Sequence, residues 1–242
     1  MSKRAGQKQA ARVVREQLAA ERRRQRARLI TLLAVALLVI GGLVGWGVWQ
    51  SQRPKGDIAL PAGVNDVGGD RAGIDVAGDG PVTVEVYLDY ICPACRQFEA
   101  TANPTINQLI LDKKIKLVWH PLGFLDDKST TNYSTRAASA ASCAADEGKL
   151  KEYGEALFAQ QPAEGTAGLS DDQLIELGGP IGLNAPSFAQ CVRAEKYQDW
   201  IGLVNERAAQ RGVNATPTVY VDGKLLENPT AENLKAAVDA AG

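Results

Sequence analysis

The sequence is poor in the residues that build metal centres: its 242 residues include one histidine, His120, and four cysteines. Two of the cysteines share a motif, Cys92-Pro93-Ala94-Cys95, while Cys143 and Cys191 stand alone. A zinc ribbon needs a second Cys-x-x-Cys or several histidines, so that class of site is excluded. No internal repeat is visible. Net charge is also scarce, at −1, but it is unevenly spread. Residues 1–28 hold ten Lys/Arg against Glu16 and Glu21, about +8, which leaves about −9 for the remainder. A basic block beside an acidic domain can signal nucleic-acid binding, yet this one abuts a hydrophobic run, so no nucleic-acid partner is expected.

Charge is wholly absent from Leu29 to Trp49. At 1.5 Å per residue that run spans about 30 Å, the hydrocarbon thickness of a bilayer, and reads as a transmembrane helix. Trp46 and Trp49 sit at its far end, where amphipathic rings favour the interface, and Arg22, Arg23, Arg24, Arg26 and Arg28 crowd the near end. The positive-inside rule then puts residues 1–28 in the cytoplasm and the rest outside the cell membrane. No small-x-small cleavage site precedes the polar stretch after Trp49, so the segment reads as an uncleaved signal-anchor.

Residues 50–72, rich in Gly, Asp and Pro, read as a flexible linker. The folded domain is expected over 73–242. Its pattern gives a short strand at Gly73 to Val76, a strand at Val82 to Leu88, a helix from Pro93 to about Leu111 and a strand at Ile115 to Trp119. Pro104 inside that helix predicts a kink or break near Ala102. About 132–211 the character is helical throughout, including a capping-box pattern at Ser170 and a helix opened by Asn184 and Pro186. Extended residues Thr218 to Val221, the turn Asp222-Gly223 and Lys224 to Leu226 then read as a hairpin, closed by a helix from about Thr230 to Ala240. By spacing alone Pro217 is an ordinary strand-starting proline, and His120 a strand-end residue rather than a proton carrier.

Cys92 stands where strand gives way to helix. Unpaired N–H groups and the positive end of the helix dipole stabilise a thiolate there, and the two-residue spacing lets Cys95 reach it. Pro93 suits the first helical turn, where its missing N–H would have had no partner. This is the pattern of a redox dithiol. In an oxidising compartment the other two thiols are expected to pair, Cys143 with Cys191; closing a loop of about 49 residues is worth about 4 kcal/mol on the entropic account.

The order βαβ, helical insertion, Thr-Pro, hairpin, helix, with Cys92-Pro93-Ala94-Cys95 opening the first long helix, resembles the DsbA-like thiol-disulfide oxidoreductases of thioredoxin-like α/β fold. The likeness is greatest to the membrane-anchored forms of Gram-positive bacteria and actinobacteria. It is carried by Val82 to Tyr90 running into Cys-Pro-x-Cys and by Gly212 to Thr218 ahead of the hairpin, and covers about Gly73 to Gly242. The resemblance implies that Cys92 is the attacking thiolate, Cys95 the resolving thiol and Pro217 a cis-proline, lined by Thr216, that holds substrate backbone beside the sulfurs. It also implies exported, cysteine-containing substrates and a membrane quinone-linked reoxidant, DsbB-like or vitamin-K-epoxide-reductase-like. No cofactor or metal is expected beyond the Cys92–Cys95 disulfide itself.

Two positions depart from the family pattern. The best-known periplasmic members carry His where this chain has Ala94, and many thioredoxin-like proteins bury an acid six residues before the first cysteine, where this chain has Val86. Asp89 and Glu85 are the nearest carboxylates, each read as a surface group unless one serves Cys95 as proton acceptor. With Cys92 lowered but without His at position 94, the potential is expected between those of thioredoxin, about −270 mV, and DsbA, about −120 mV, which favours an oxidase. A reductase of the cytochrome c maturation type and a redox-inactive thioredoxin-fold adaptor are the other two readings.

Overall fold

The computed structural model describes residues 58–65, 72–183 and 186–242, all within one compact unit, Asp57–Gly242. The basic tail, the Leu29 to Trp49 run and the Asn184 cap lie outside the described residues. Among those described, no helix is long and apolar enough to cross a membrane.

In chain order the elements are β1 (Val64–Asn65), β2 (Gly73–Ala77), β3 (Val82–Leu88), α1 (Pro93–Leu111) and β4 (Ile115–Pro121). A helical block follows: α2 (Tyr133–Ala145), α3 (Leu150–Ala159), α4 (Asp171–Gly178), α5 (Pro186–Arg193) and α6 (Gln198–Gln210). The chain closes with β5 (Thr218–Val221), β6 (Lys224–Leu225) and α7 (Ala231–Ala241). The sheet order is β1-β2-β4-β3-β5-β6, parallel between β3 and β4 and antiparallel at every other pairing.

β3 lies inside the sheet, and its sequence alternates accordingly: Val82, Val84 and Val86 are buried while Thr83 and Glu85 are only partly so. From Val86 onward every residue to Cys92 is buried, since both faces are covered there. The hairpin turn matches its residues. Asp222 and Gly223 take φ of 45° and 75°, the two positive values that a two-residue turn of matching twist requires. Asp222 also secures the turn to β3, accepting from Thr83 N–H through its carboxylate at 2.7 Å.

Two expectations are corrected. Of the kink or break expected near Ala102, the break is absent: α1 runs past Pro104 to Leu111, the end that the sequence pattern gives. Pro104 and Ala100, whose carbonyl loses its partner, are both exposed, so water can serve that carbonyl and the helix continues. Part of the expected linker is also structured: Val64 pairs with Ile74, Pro61 is buried, and Ala62 N–H donates to the Asp146 carboxylate at 3.0 Å. A two-residue strand is too short to show any periodicity.

The helical block is held to itself by Cys143 of α2 and Cys191 of α5, bonded with their Cα atoms 5.9 Å apart. At α4, Ser170 and Gln173 form the reciprocal capping box.

Candidate active site

Cys92 is the N-cap of α1, with Pro93 in the first helical turn. Both Cys92 and Cys95 are free thiols and both are buried, at 6% and 1% exposure. The two sulfurs are driven apart in acidity. A hydrogen bond from the Cys95 thiol, aided by Thr216 and by the N–H groups of Ala94 and Cys95, outweighs burial and brings Cys92 down to about 5. Burial pushes Cys95 well above the usual thiol range, and the negative charge on Cys92 pushes it further. A carbonyl cannot stabilise an anion, so the 3.4 Å bond from Cys92 Sγ to Thr216 O belongs to the protonated thiol.

Thr216 and Pro217 arrive from the sequence-distant start of β5, where the peptide between them is cis. Spacing alone gives an ordinary strand-starting proline here, and the cis bond corrects that reading. Register explains the meeting: Thr218 pairs with Tyr87 on β3, so the preceding loop must lie over the end of β3 where Cys92 stands.

Asp89 requires a correction. It is not a surface carboxylate but has 0% exposure. Its Oδ1 accepts from Ile91 N–H at 3.1 Å, and its Oδ2 from Leu125 N–H at 3.1 Å and from the Ser134 hydroxyl. Burial lifts it to about 6 against the pull of these donors, with the Cys92 charge adding to the rise. The Asp89 N–H faces Cys95 Sγ at 3.5 Å. The Asp-x-Ile contact is an Asx turn, and that local signal was present in the sequence.

Glu85 is likewise not a surface group. Burial raises its carboxyl, but His120 and a two-pronged Arg211 guanidinium outweigh this and hold it at about 2. Arg211 also lies over the Tyr220 ring, 4.0 Å from its centroid. His120 is inside β4 rather than beyond it, with Nδ1 3.0 Å from Ala72 O and its ring stacked on Tyr87. These contacts give it a packing role.

One residue the sequence did not indicate touches the redox turn. Gln161 donates from Nε2 to Tyr90 O at 3.0 Å and to Cys92 O at 2.9 Å. Nothing local signals this, because the partners lie about 70 residues apart.

The arrangement can do one kind of chemistry: a nucleophilic, easily ionised sulfur next to a buried thiol, bordered by an exposed loop, can form and resolve mixed disulfides. Among the described residues no cluster of His, Cys, Asp and Glu could hold a metal.

Comparison with known proteins agrees. A family model described as thioredoxin matches residues 77–240. The serine/threonine-protein kinase PknE of Mycobacterium tuberculosis is 30% identical over 198 residues, 74% of this chain and 34% of that protein. The chain thus spans about a third of the length of that curated relative. The probable disulfide bond formation protein D of Bacillus cereus is 22% identical over 86% of this chain and 93% of its own. Among solved structures, the reduced disulfide bond oxidoreductase DsbG of Mycobacterium tuberculosis has a TM-score of 0.63 and 33% identity, covering 72% of this chain and 89% of that one. Reduced DsbA of the same organism has a TM-score of 0.62 and 31% identity, covering 70% and 91%. The chain therefore belongs to the thioredoxin family, among its DsbA- and DsbG-like thiol-disulfide oxidoreductases.

Proposed function

We propose that this protein is a membrane-anchored, extracytoplasmic dithiol oxidase that introduces disulfides into exported proteins. The observation that carries the direction is the split between the sulfurs, Cys92 at about 5 and Cys95 far higher. A thiol that titrates near 5 stabilises the reduced form at pH 7 by about 3 kcal/mol over an ordinary thiol, or about 60 mV in the two-electron couple. A more stable reduced form is a stronger oxidant when oxidised. The name of the Bacillus cereus relative agrees with this direction.

In this proposal the steps use the two sulfurs in turn. A substrate thiolate attacks the Cys92 sulfur of the Cys92–Cys95 disulfide; that bond breaks and Cys95 leaves with the electron pair, then takes a proton. Its pKa, pushed well above the usual thiol range by burial, favours that protonation. A second substrate thiolate attacks the substrate sulfur of the mixed disulfide. Cys92 departs as a thiolate, a good leaving group because its conjugate acid is strong. The substrate gains one disulfide, and two electrons rest on the dithiol. A quinone-linked membrane protein removes them, restoring the Cys92–Cys95 bond. The Leu29 to Trp49 run and the arginines before it support the anchored placement.

The test is a redox equilibrium against glutathione together with oxidative refolding of a reduced, disulfide-requiring protein. Refolding should be catalysed by the protein and abolished in Cys92→Ala. A potential at or below about −270 mV, with ready insulin reduction and no oxidative folding, would replace the oxidase with the reductase.

A further inference from the structure

The turn that presents Cys92 is fastened on its inner side by Asp89 and on its outer side by Gln161, which comes from the helical block. Both hydrogens of the Gln161 amide are committed to carbonyls of this one turn, those of Tyr90 and Cys92. Gln161 follows Gln160, the C-cap of α3, and its own N–H is tied back to Phe158 O at 3.3 Å. Phe158 lies against Tyr90, with ring centroids 5.1 Å apart. One turn earlier, Gly154 lets α3 approach closely: a Cβ there would stand 2.6 Å from the Trp119 ring and 3.2 Å from the Tyr90 hydroxyl. The end of α3 therefore has a fixed seat against the turn, and the amide inherits it.

The Cys92 carbonyl also accepts the Arg96 N–H at 3.2 Å, the bond that opens α1. Gln161 thus helps to orient the peptide that joins the turn to the helix. That orientation decides whether the Cys92 sulfur meets the N–H groups of Ala94 and Cys95 and the Thr216 loop, the donors that make it acidic. We infer that Gln161 is a positioning residue for the redox reaction, holding the Tyr90 and Cys92 carbonyls so that the Cys92 sulfur stays over the N-terminus of α1. The inference rests on the dithiol chemistry proposed above. Gln161 does not touch the sulfurs; it acts through the backbone, and through it the helical block sets the acidity of Cys92.

The test compares the full-length wild type, Gln161→Ala and Gln161→Glu by ultraviolet titration of the Cys92 thiolate and by equilibrium with glutathione. Gln161→Ala should raise the thiolate midpoint and make the protein a weaker oxidant, shifting the equilibrium constant by about five-fold, the worth of one net hydrogen bond. Gln161→Glu should shift it further in the same direction, because a carboxylate would oppose both carbonyl oxygens and add a like charge near the thiolate. A wild type that exchanges with glutathione, with both variants holding its midpoint and equilibrium within about two-fold, overturns the inference even if their Tm falls. A wild type that does not exchange at all overturns the dithiol function, and this inference with it.

Discussion

Asp89 carries a charge into a place without water, and only its donors make that tolerable: the Ser134 hydroxyl and the N–H groups of Ile91 and Leu125. Its value of about 6 lies above the ordinary carboxylate value of about 3.9, so the folded protein holds this proton more tightly than the unfolded chain. Stability from this group is accordingly full below pH about 4 and is lost as pH rises through about 6. Ser134→Ala removes a donor that favours the charged form, so Asp89 should titrate higher still. The substitution should cost about 1.5 to 3 kcal/mol at pH 7, where the acceptor is an anion, and about 1 kcal/mol at pH 4, where it is not. Urea unfolding at the two pH values checks this, and equal costs would show that Asp89 is not ionised at neutral pH. The sequence misled at this residue because composition makes a lone Asp a surface group, and only the packing of Ser134 and Leu125 from elsewhere reverses that expectation. The placement of Cys92 and Cys95 was legible because it depends on local features, a helix N-terminus and a two-residue spacing. Gln161 was not legible, since a neutral amide in a loop carries no pattern and gains its role from two carbonyls far away in sequence.

At the scale of elements, β3, α1 and the β5–β6 hairpin were readable because each has its own period or turn chemistry: alternation in β3, Pro93 opening α1, Asp222-Gly223 between β5 and β6. β1 has only Val64 and Asn65 and no period to read, and β4 runs two residues past Trp119 because His120 and Pro121 pair with Tyr87 and Leu88. The helical block depends on a crosslink between α2 and α5. Closing the 48-residue separation between Cys143 and Cys191 restricts the unfolded chain by about 4 kcal/mol on the entropic account. The Cys143→Ser, Cys191→Ser double variant should lose about that much in urea unfolding. Its Cys92 thiolate should titrate unchanged, because the donors to that sulfur come from α1 and the Thr216 loop and not from the crosslink. A moved midpoint would mean that the crosslink, and not only Gln161, transmits the position of the block to the dithiol. Thiol counting on the denatured, oxidised wild type should find no alkylatable group; two would show the pair unbonded.

At the scale of the whole molecule the charge separation carries the argument, about +8 over residues 1–28 against about −9 over the rest. Positive charge close to an apolar span is retained on the cytoplasmic side, and only Arg53 and Lys55 closely follow Trp49 against the five arginines just before Leu29. The proposed oxidase activity also needs the far side, because a cytosolic thiol pool would keep the dithiol reduced and stop turnover. Both arguments favour the placement we propose, with Leu29 to Trp49 spanning the membrane and the Cys92 domain outside. Protease added to intact spheroplasts should therefore remove the domain from Asp57 onward while leaving a short fragment with the membrane. Exchanging Arg22, Arg23, Arg24, Arg26 and Arg28 for Gln should abolish much of the bias and protect a fraction of the domain, and that fraction should carry Cys92 and Cys95 in the reduced state. A wild-type domain fully protected until the spheroplasts are lysed would overturn the proposed orientation and, with it, the proposed oxidation of exported substrates.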